Sequence, residues 1–305
     1  MSAFPTRRKF LQLGAAGAAL GAITVAGNGV IFEPNQPRVV SLEVSLARLP
    51  EAWDGFRIAQ LSDIHYDDYF SVVPLRKAID ILNRLQPDLV VLTGDFVTTP
   101  LLLRHRRSSI QERKNAARTI EPCAQLLTQL RPHSGVFAVH GNHDASSDPA
   151  HITAVLQSHG IQVLNNRSVP LDFQRNGRQK NDTQGSRLWL CGVDDILNGK
   201  ANLALALNGI PPADPVVLLA HEPDWADYVA RYPVDLQLSG HSHGGQIRIP
   251  LIGAPFLPEL ARKYPWGLRR IGPLTLYTNA GLGTIRIPLR LNCPPEITLI
   301  TLRAV

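Results

Sequence analysis

The sequence predicts an α/β fold of stacked layers, on three observations. The chain has 305 residues of 44 % hydrophobic composition, enough for one large core. Its apolar runs are short and punctuated by Gly and Pro. Strand-like runs alternate with segments of helical spacing along almost the whole body, with no internal repeat.

The elements follow in order. Val39 to Leu49 alternates apolar and polar residues, as an edge or hairpin strand does, and Phe56 to Leu61 is a strand ending in Ser62-Asp63-Ile64-His65. Val72 to Leu85 has helical spacing and stops at Gln86-Pro87, where proline disfavours a further helical residue. Asp88 to Thr93 is a buried strand running into Gly94-Asp95, and Gln111 to Leu130 is a helix that Pro122 must kink or split. Gly135 to Val139 is a strand ending in His140-Gly141-Asn142-His143-Asp144. Helices are expected at Pro149 to His159, Ala201 to Leu207 and Pro223 to Tyr232. Strands are expected near Val163, at Arg187 to Cys191, Val216 to Ala220, Asp235 to Ser239, Gln246 to Ile249, Leu274 to Thr278 and Glu296 to Leu302. The polar stretch Gln174 to Ser186 reads as an exposed hairpin loop.

Residues 1–32 read as an export leader ahead of a catalytic body at 38–305. Arg7, Arg8 and Lys9 precede an uncharged stretch from Leu11 to Phe32. The paired arginines followed by Phe10-Leu11 resemble a twin-arginine signal, which implies the twin-arginine export machinery as a partner and a periplasmic or cell-envelope location. Thr24-Val25-Ala26 offers a cleavage site, yet the uncharged stretch is long enough to remain as a membrane anchor; both outcomes stand. Without the three leader cations, 28 basic residues face 25 acidic ones, too mild an excess to argue for nucleic acid. Cys123, Cys191 and Cys293 are too sparse and too widely spaced for a disulfide framework and read as buried thiols.

Five strands end in residues that bind divalent metals: Asp63 with His65, Asp95, Asn142 with His143, His221, and His241 with His243. Loops beyond the carboxyl ends of strands converge in α/β folds, so these residues can meet. Imidazole nitrogen with carboxylate oxygen suits Mn, Zn or Fe, and the number of donors exceeds what one ion needs. Asp63-Ile64-His65, Gly94-Asp95, Gly141-Asn142-His143-Asp144, His221 and Gly240-His241-Ser242-His243 resemble, in order, the five blocks of the calcineurin-like metallophosphoesterases. Gly244-Gly245-Gln246, Asn279-Ala280-Gly281-Leu282-Gly283-Thr284 and Cys293-Pro294-Pro295-Glu296 resemble an exported phosphodiesterase branch of that superfamily.

The resemblance implies two mixed β-sheets flanked by helices and two divalent metal ions. It assigns Asp63, His65 and His243 to one ion, Asn142, His221 and His241 to the other, and Asp95 to both. A metal-bridging hydroxide would attack phosphorus in line while His143 protonates or stabilises the leaving oxygen. The glycines before Asp95, Asn142 and His241 are expected to let the backbone turn sharply. Relatives often carry an acid three residues after the bridging Asp, where it orients the histidine; here Thr98 stands in its place and Asp144 is the expected substitute.

The first substrate reading is a phosphodiester; the alternatives are a nucleotide- or lipid-linked diphosphate such as UDP-diacylglucosamine, and a metal-binding scaffold without catalysis. His105, His133, His151 and His159 are expected to be ordinary helix or loop residues, and His140 a support behind the site. The basic run Arg104, Arg106, Arg107, Arg113, Lys114 and Arg118 is either a solvated face or a holder of a second phosphate or anionic lipid. Leu251 to Leu268 mixes Phe256, Leu257, Tyr264 and Trp266 with Arg262 and Lys263, suiting loop packing or a membrane-facing rim.

Overall fold

The structure is a computed structural model that describes residues 27–99, 110–171 and 187–305, with 8, 12, 174–175 and 178–179 besides. Most of the expected leader, Arg104, His105, Arg106 and Arg107, and most of the loop from Gln174 to Ser186 lie outside the described residues.

In chain order the strands begin with β1 (Arg38–Leu46), β2 (Arg57–Leu61), β3 (Leu89–Leu92), β4 (Val136–Ala138), β5 (Gln162–Val163) and β6 (Arg167–Pro170). The small hairpin β7 (Gln174–Arg175) and β8 (Arg178–Gln179) follows, then β9 (Trp189–Gly192), β10 (Val216–Leu219) and β11 (Leu236–Ser239). β12 (Gly267–Ile271), β13 (Leu274–Thr278) and β14 (Glu296–Ala304) complete the set. The α-helices are α1 (Val72–Leu85), α2 (Ile110–Ala117), α3 (Ile120–Leu127), α4 (Asn142–Ser146), α5 (Pro149–Ser158), α6 (Leu203–Ala206) and α7 (Ala226–Val229).

Two six-stranded mixed sheets result, ordered β1-β14-β2-β3-β4-β5 and β12-β13-β11-β10-β9-β6. The alternation of side chains along a strand explains the layering. In β3, Leu89 and Val91 enter the core shared by the two sheets, while Val90 and Leu92 enter a second core under α1, α3 and α5. In β10, Val217 and Leu219 join the shared core, and Val216 and Leu218 pack outward with Leu203, Ala226 and Val229. Strands apolar on both faces are what a sheet covered on both sides requires. Each fully buried Leu or Ile there contributes about 1.5–3 kcal/mol.

Helix α1 buries Leu75, Ala78, Ile79 and Leu82, a single stripe, and ends at Gln86 in the left-handed region (φ 51°) before Pro87. The helix expected from Gln111 to Leu130 is split, as Pro122 requires, with the break at Arg118-Thr119; Pro122 then sits in the first turn of α3, where its missing N–H has no intrahelical partner to lose. One expectation needs correction. The expected strand Gln246 to Ile249 is not one: its backbone makes only isolated bridges, Ile247 to Leu291 and Ile249 to Gly253. Of the two readings of the first strand, edge or hairpin, the edge one holds: β1 lies at the sheet edge, paired in parallel with β14. β6 and β12 had no sequence signal, because β12 is an exposed edge strand carrying Arg269 and Arg270 rather than an apolar alternation. All three cysteines are free and buried.

Candidate metal centre

β2, β3 and β4 of one sheet and β10 and β11 of the other all deliver candidate ligands from the loops at their carboxyl ends. Asp63, His65, Asp95, His241 and His243 adopt left-handed backbone, with φ of 51°, 44°, 58°, 66° and 51°. Such conformations cost a non-glycine residue about 1–2 kcal/mol and collect at functional sites. Gly94 has φ 92°, so it supplies the expected sharp turn. Gly141, with φ −105°, does not; it and Gly240 are required for space, since a Cβ would strike Asp95 and His221, or Ser62 and Asp63.

The donor atoms of Asp63, His65 and His243, of His65, Asp95 and His143, and of Asp95, His221 and His241 form three overlapping groups, each within 4.8 Å. Asp95 Oδ2 lies 3.4 Å from His65 Nε2 and 3.3 Å from His221 Nε2; Asp63 Oδ1 lies 3.4 Å from His243 Nε2. His65 Nε2 and His243 Nε2 are 3.1 Å apart. Ligands that share one ion at about 2.1 Å stand roughly 3–3.4 Å from each other, so the spacing fits a metal. Asn142 Oδ1, His221 Nε2 and His243 Nδ1 are buried without a hydrogen-bond partner, a costly state that an ion would relieve at the first two.

The opposite ring nitrogens support the same reading. His221 Nδ1 bonds the Thr93 carbonyl at 2.6 Å, His241 Nε2 the Glu259 carbonyl at 2.8 Å, and His65 Nδ1 the Val97 carbonyl and Thr98 Oγ1 at 3.2 and 3.0 Å. Each contact orients a ring and leaves the lone pair of its other nitrogen for a metal. Burial drives the imidazole of His241 down to about 3 and that of His243 well below its ordinary value, so both offer unprotonated nitrogens. Burial would raise Asp95, but the imidazoles of His221, His143 and His65 hold it well below the carboxylate range. For Asp63 burial wins and raises it, with the charge of Asp95 adding.

His143 takes a backbone N–H from Thr99 on Nδ1 at 2.9 Å, with Thr99 Oγ1 at 2.6 Å. Because that N–H can only donate, Nδ1 accepts and the ring proton of the neutral form belongs on Nε2. Thr99, unmarked by the sequence reading, therefore orients His143, while Thr98 supports His65. Asp144 does not substitute for the missing acid. Its carboxylate turns away and accepts the N–H groups of Asp95, Phe96, Val97 and Gly141, joining the loops after β3 and β4; burial and the charge of Asp95 push it up to about 7.

A second residue missed by sequence reasoning is Arg290. It is fully buried, and its guanidinium donates to the carbonyls of Ala280, Gly281, Gly283 and Cys293. That clamp shapes the Gly-rich loop whose Leu282 and Gly283 amides bond the carbonyls of Ser62 and Asp63. The only sequence signal was that Arg290 stands between Leu289 and Leu291 in an otherwise apolar run shared with Arg286. His140, also buried, accepts from Asn165 and contacts Thr153.

A cleft of about 970 Å³ opens over the cluster. Its lining includes the candidate site residues Asp95, Asn142, His143, His241 and His243, the apolar Leu197, Phe256, Ile285 and Ile287, and the cationic Arg113 and Arg286. Of the basic run, Arg113 reaches the cleft, whereas Lys114 and Arg118 are exposed and absent from its lining.

Two mixed sheets whose loops share one cluster of carboxylate and imidazole donors define a metallohydrolase. The chain belongs to the calcineurin-like phosphoesterase family, whose pattern matches residues 56–245, and so to hydrolases of phosphate esters. It is 33 % identical to the uncharacterized metallophosphoesterase YkuE of Bacillus subtilis (strain 168), over 98 % of both chains. It is 31 % identical to the phosphodiesterase YaeI of Escherichia coli (strain K12), over 97 % of this chain and 99 % of that one. It is 27 % identical to the UDP-2,3-diacylglucosamine pyrophosphatase LpxG of Chlamydia trachomatis, over 88 % and 90 %.

Proposed function

We propose that the chain is a binuclear metal-dependent phosphodiesterase. The observation that carries this reading is Asp95, whose Oδ2 stands within 3.4 Å of imidazoles belonging to two different donor groups. Asp63, His65 and His243 would hold one divalent ion, Asn142, His221 and His241 the other, and Asp95 would contact both. Bound ions of Mn, Zn or Fe would supply Lewis-acid polarisation of the phosphoryl group and of water. The chain's own groups do the rest. Thr99 holds the His143 ring with Nδ1 as acceptor, which leaves Nε2–H of this cleft-lining residue as the donor the leaving oxygen would use. The cationic Arg113 and Arg286 suit further anionic groups of the substrate.

A second substrate reading, a lipid-linked diphosphate, is favoured by the apolar residues Leu197, Phe256, Ile285 and Ile287 in the cleft lining, and by the similarity to LpxG. We place the protein in the cell envelope on the strength of Arg7-Arg8 and the uncharged stretch behind them. The test is hydrolysis of bis(p-nitrophenyl) phosphate after chelation and separate re-addition of Mn, Zn, Fe and Mg, with the bound metal counted. Loss with chelator and recovery at about two ions per chain is the expected result. Two bound ions with no cleavage of this ester or of a detergent-dispersed lipid diphosphate would leave the scaffold alternative.

A further inference from the structure

The stretch Leu251 to Leu268 had two readings, loop packing and a membrane-facing rim. The structure divides it. Tyr264 packs onto the outer core of the second sheet, with its N–H and hydroxyl bonded to Asp224 and Asp227. The part nearer the cleft does something else. Ile249 and Gly253 exchange two backbone hydrogen bonds of 2.8 Å, closing a stiff turn, and Leu251 and Ile252 at its tip are fully exposed and 72 % exposed. Leu251 has φ 69°, a left-handed position where Gly or Asn would be unstrained. A use for the side chain would offset that strain.

Two other segments join this turn. Arg248 N–H bonds the Leu291 carbonyl, and Gln246 Nε2 donates to the carbonyls of Ile285 and Ile287. The guanidinium of Arg286 stacks 4.1 Å above the Phe256 ring, and both side chains are exposed. Arg290 N–H in turn bonds the Gly29 carbonyl, which brings in the helical turn at 28–32 with its exposed Val30, Ile31 and Phe32. The result is a set of exposed apolar side chains, Val30, Ile31, Phe32, Leu251, Ile252, Phe256 and Ile287, on segments tied together by backbone hydrogen bonds, with the exposed Arg286 among them. Arg248 beside them is half-buried, its guanidinium bonded to the Gly244 carbonyl and 4.1 Å over the Trp266 ring. In sequence, the 14 residues 13–26, ahead of the turn at 28–32, contain no charged side chain.

We propose that this surface docks on an anionic lipid bilayer. Protruding aliphatic tips enter the headgroup boundary without needing a complementary pocket, and the exposed Arg286 meets anionic lipid, a modest additional attraction. Phe256, Arg286 and Ile287 also line the cleft, so docking sets the cleft mouth at the lipid surface.

The test uses the full chain with an environment-sensitive fluorophore on Leu251→Cys or on Ile252→Cys, and on Leu205→Cys as a control on α6. The native cysteines are buried, so labelling is selective. With phosphatidylcholine vesicles containing phosphatidylglycerol, the labels at 251 and 252 are expected to shift to the blue and to be quenched by nitroxide-bearing lipids. The label at 205 stays in water, and phosphatidylcholine alone gives a weaker response. Vesicle-bound protein whose labels at 251 and 252 remain wet and unquenched would overturn the proposal. So would labels that become shielded without vesicles as protein concentration rises, the mark of a second copy as occupant. No turnover is read, so the outcome is separate from that of the hydrolase assignment.

Discussion

The two donor sets proposed for the site are held in different ways. His221 and His241 are each locked by a hydrogen bond from the opposite ring nitrogen to a backbone carbonyl. In the other group His65 is locked likewise, but His243 Nδ1 is buried without a partner, and the loop bearing Asp63 leans on a Gly-rich loop shaped by Arg290. One half is thus pre-oriented by its own ligands, the other by a clamp behind it. The lesson is that similar donor sets can differ in how far their metal affinity depends on residues that touch no metal.

Asp95 belongs to both halves, so removing it gives the largest effect. Asp95→Ala is expected to abolish chelator-sensitive hydrolysis, a loss of at least ~10³-fold, with both ions weakened in calorimetric titration. His143→Gln separates chemistry from binding: kcat should fall by about 10²–10³-fold while metal content is kept, as expected for a proton donor.

Arg290→Met tests the comparison itself. It leaves the carbonyls of the Gly-rich loop without their donor and should lower stability by about 3 kcal/mol or more. In metal titration one of two binding events should weaken by about 10–100-fold and the other stay. Equal weakening of both events would erase the distinction between the halves. A smaller effect is expected from Thr99→Val, which removes the hydroxyl beside His143 but keeps the amide, costing about tenfold in kcat with KM unchanged.

The half held by its own ligands should also be acid-sensitive through His140, two residues before Asn142. Burial depresses its pKa to about 4 from 6.5, so it is neutral when folded and gains a proton more readily when unfolded. Its contribution is therefore complete above about pH 6.5 and is lost as pH falls towards 4, up to about 3 kcal/mol. Thermal unfolding between pH 7.5 and 4.5 checks this, and His140→Gln should flatten the profile.

The sequence by itself determined the alternation of strands and helices, the burial of strands such as Leu89–Leu92 on both faces, and the family. It also marked every candidate ligand, because short apolar runs and the polar residues just after them are local signals. Pro122 announced the split of the 111–130 helix, because its ring excludes the carbonyl four residues back, at Arg118, where the break begins. Other matters depended on contacts between residues far apart in the chain. Only the tertiary structure decided that Thr99 rather than Asp144 orients His143, that Arg290 clamps the loop behind Asp63, and that the segments 28–32, 246–253 and 285–291 are tied together by hydrogen bonds. The physical reason is that a side chain's role follows from the dipoles and carbonyls around it. The fold brings these together across 44 residues for Thr99 and His143, and across 260 residues for Glu33 and Cys293.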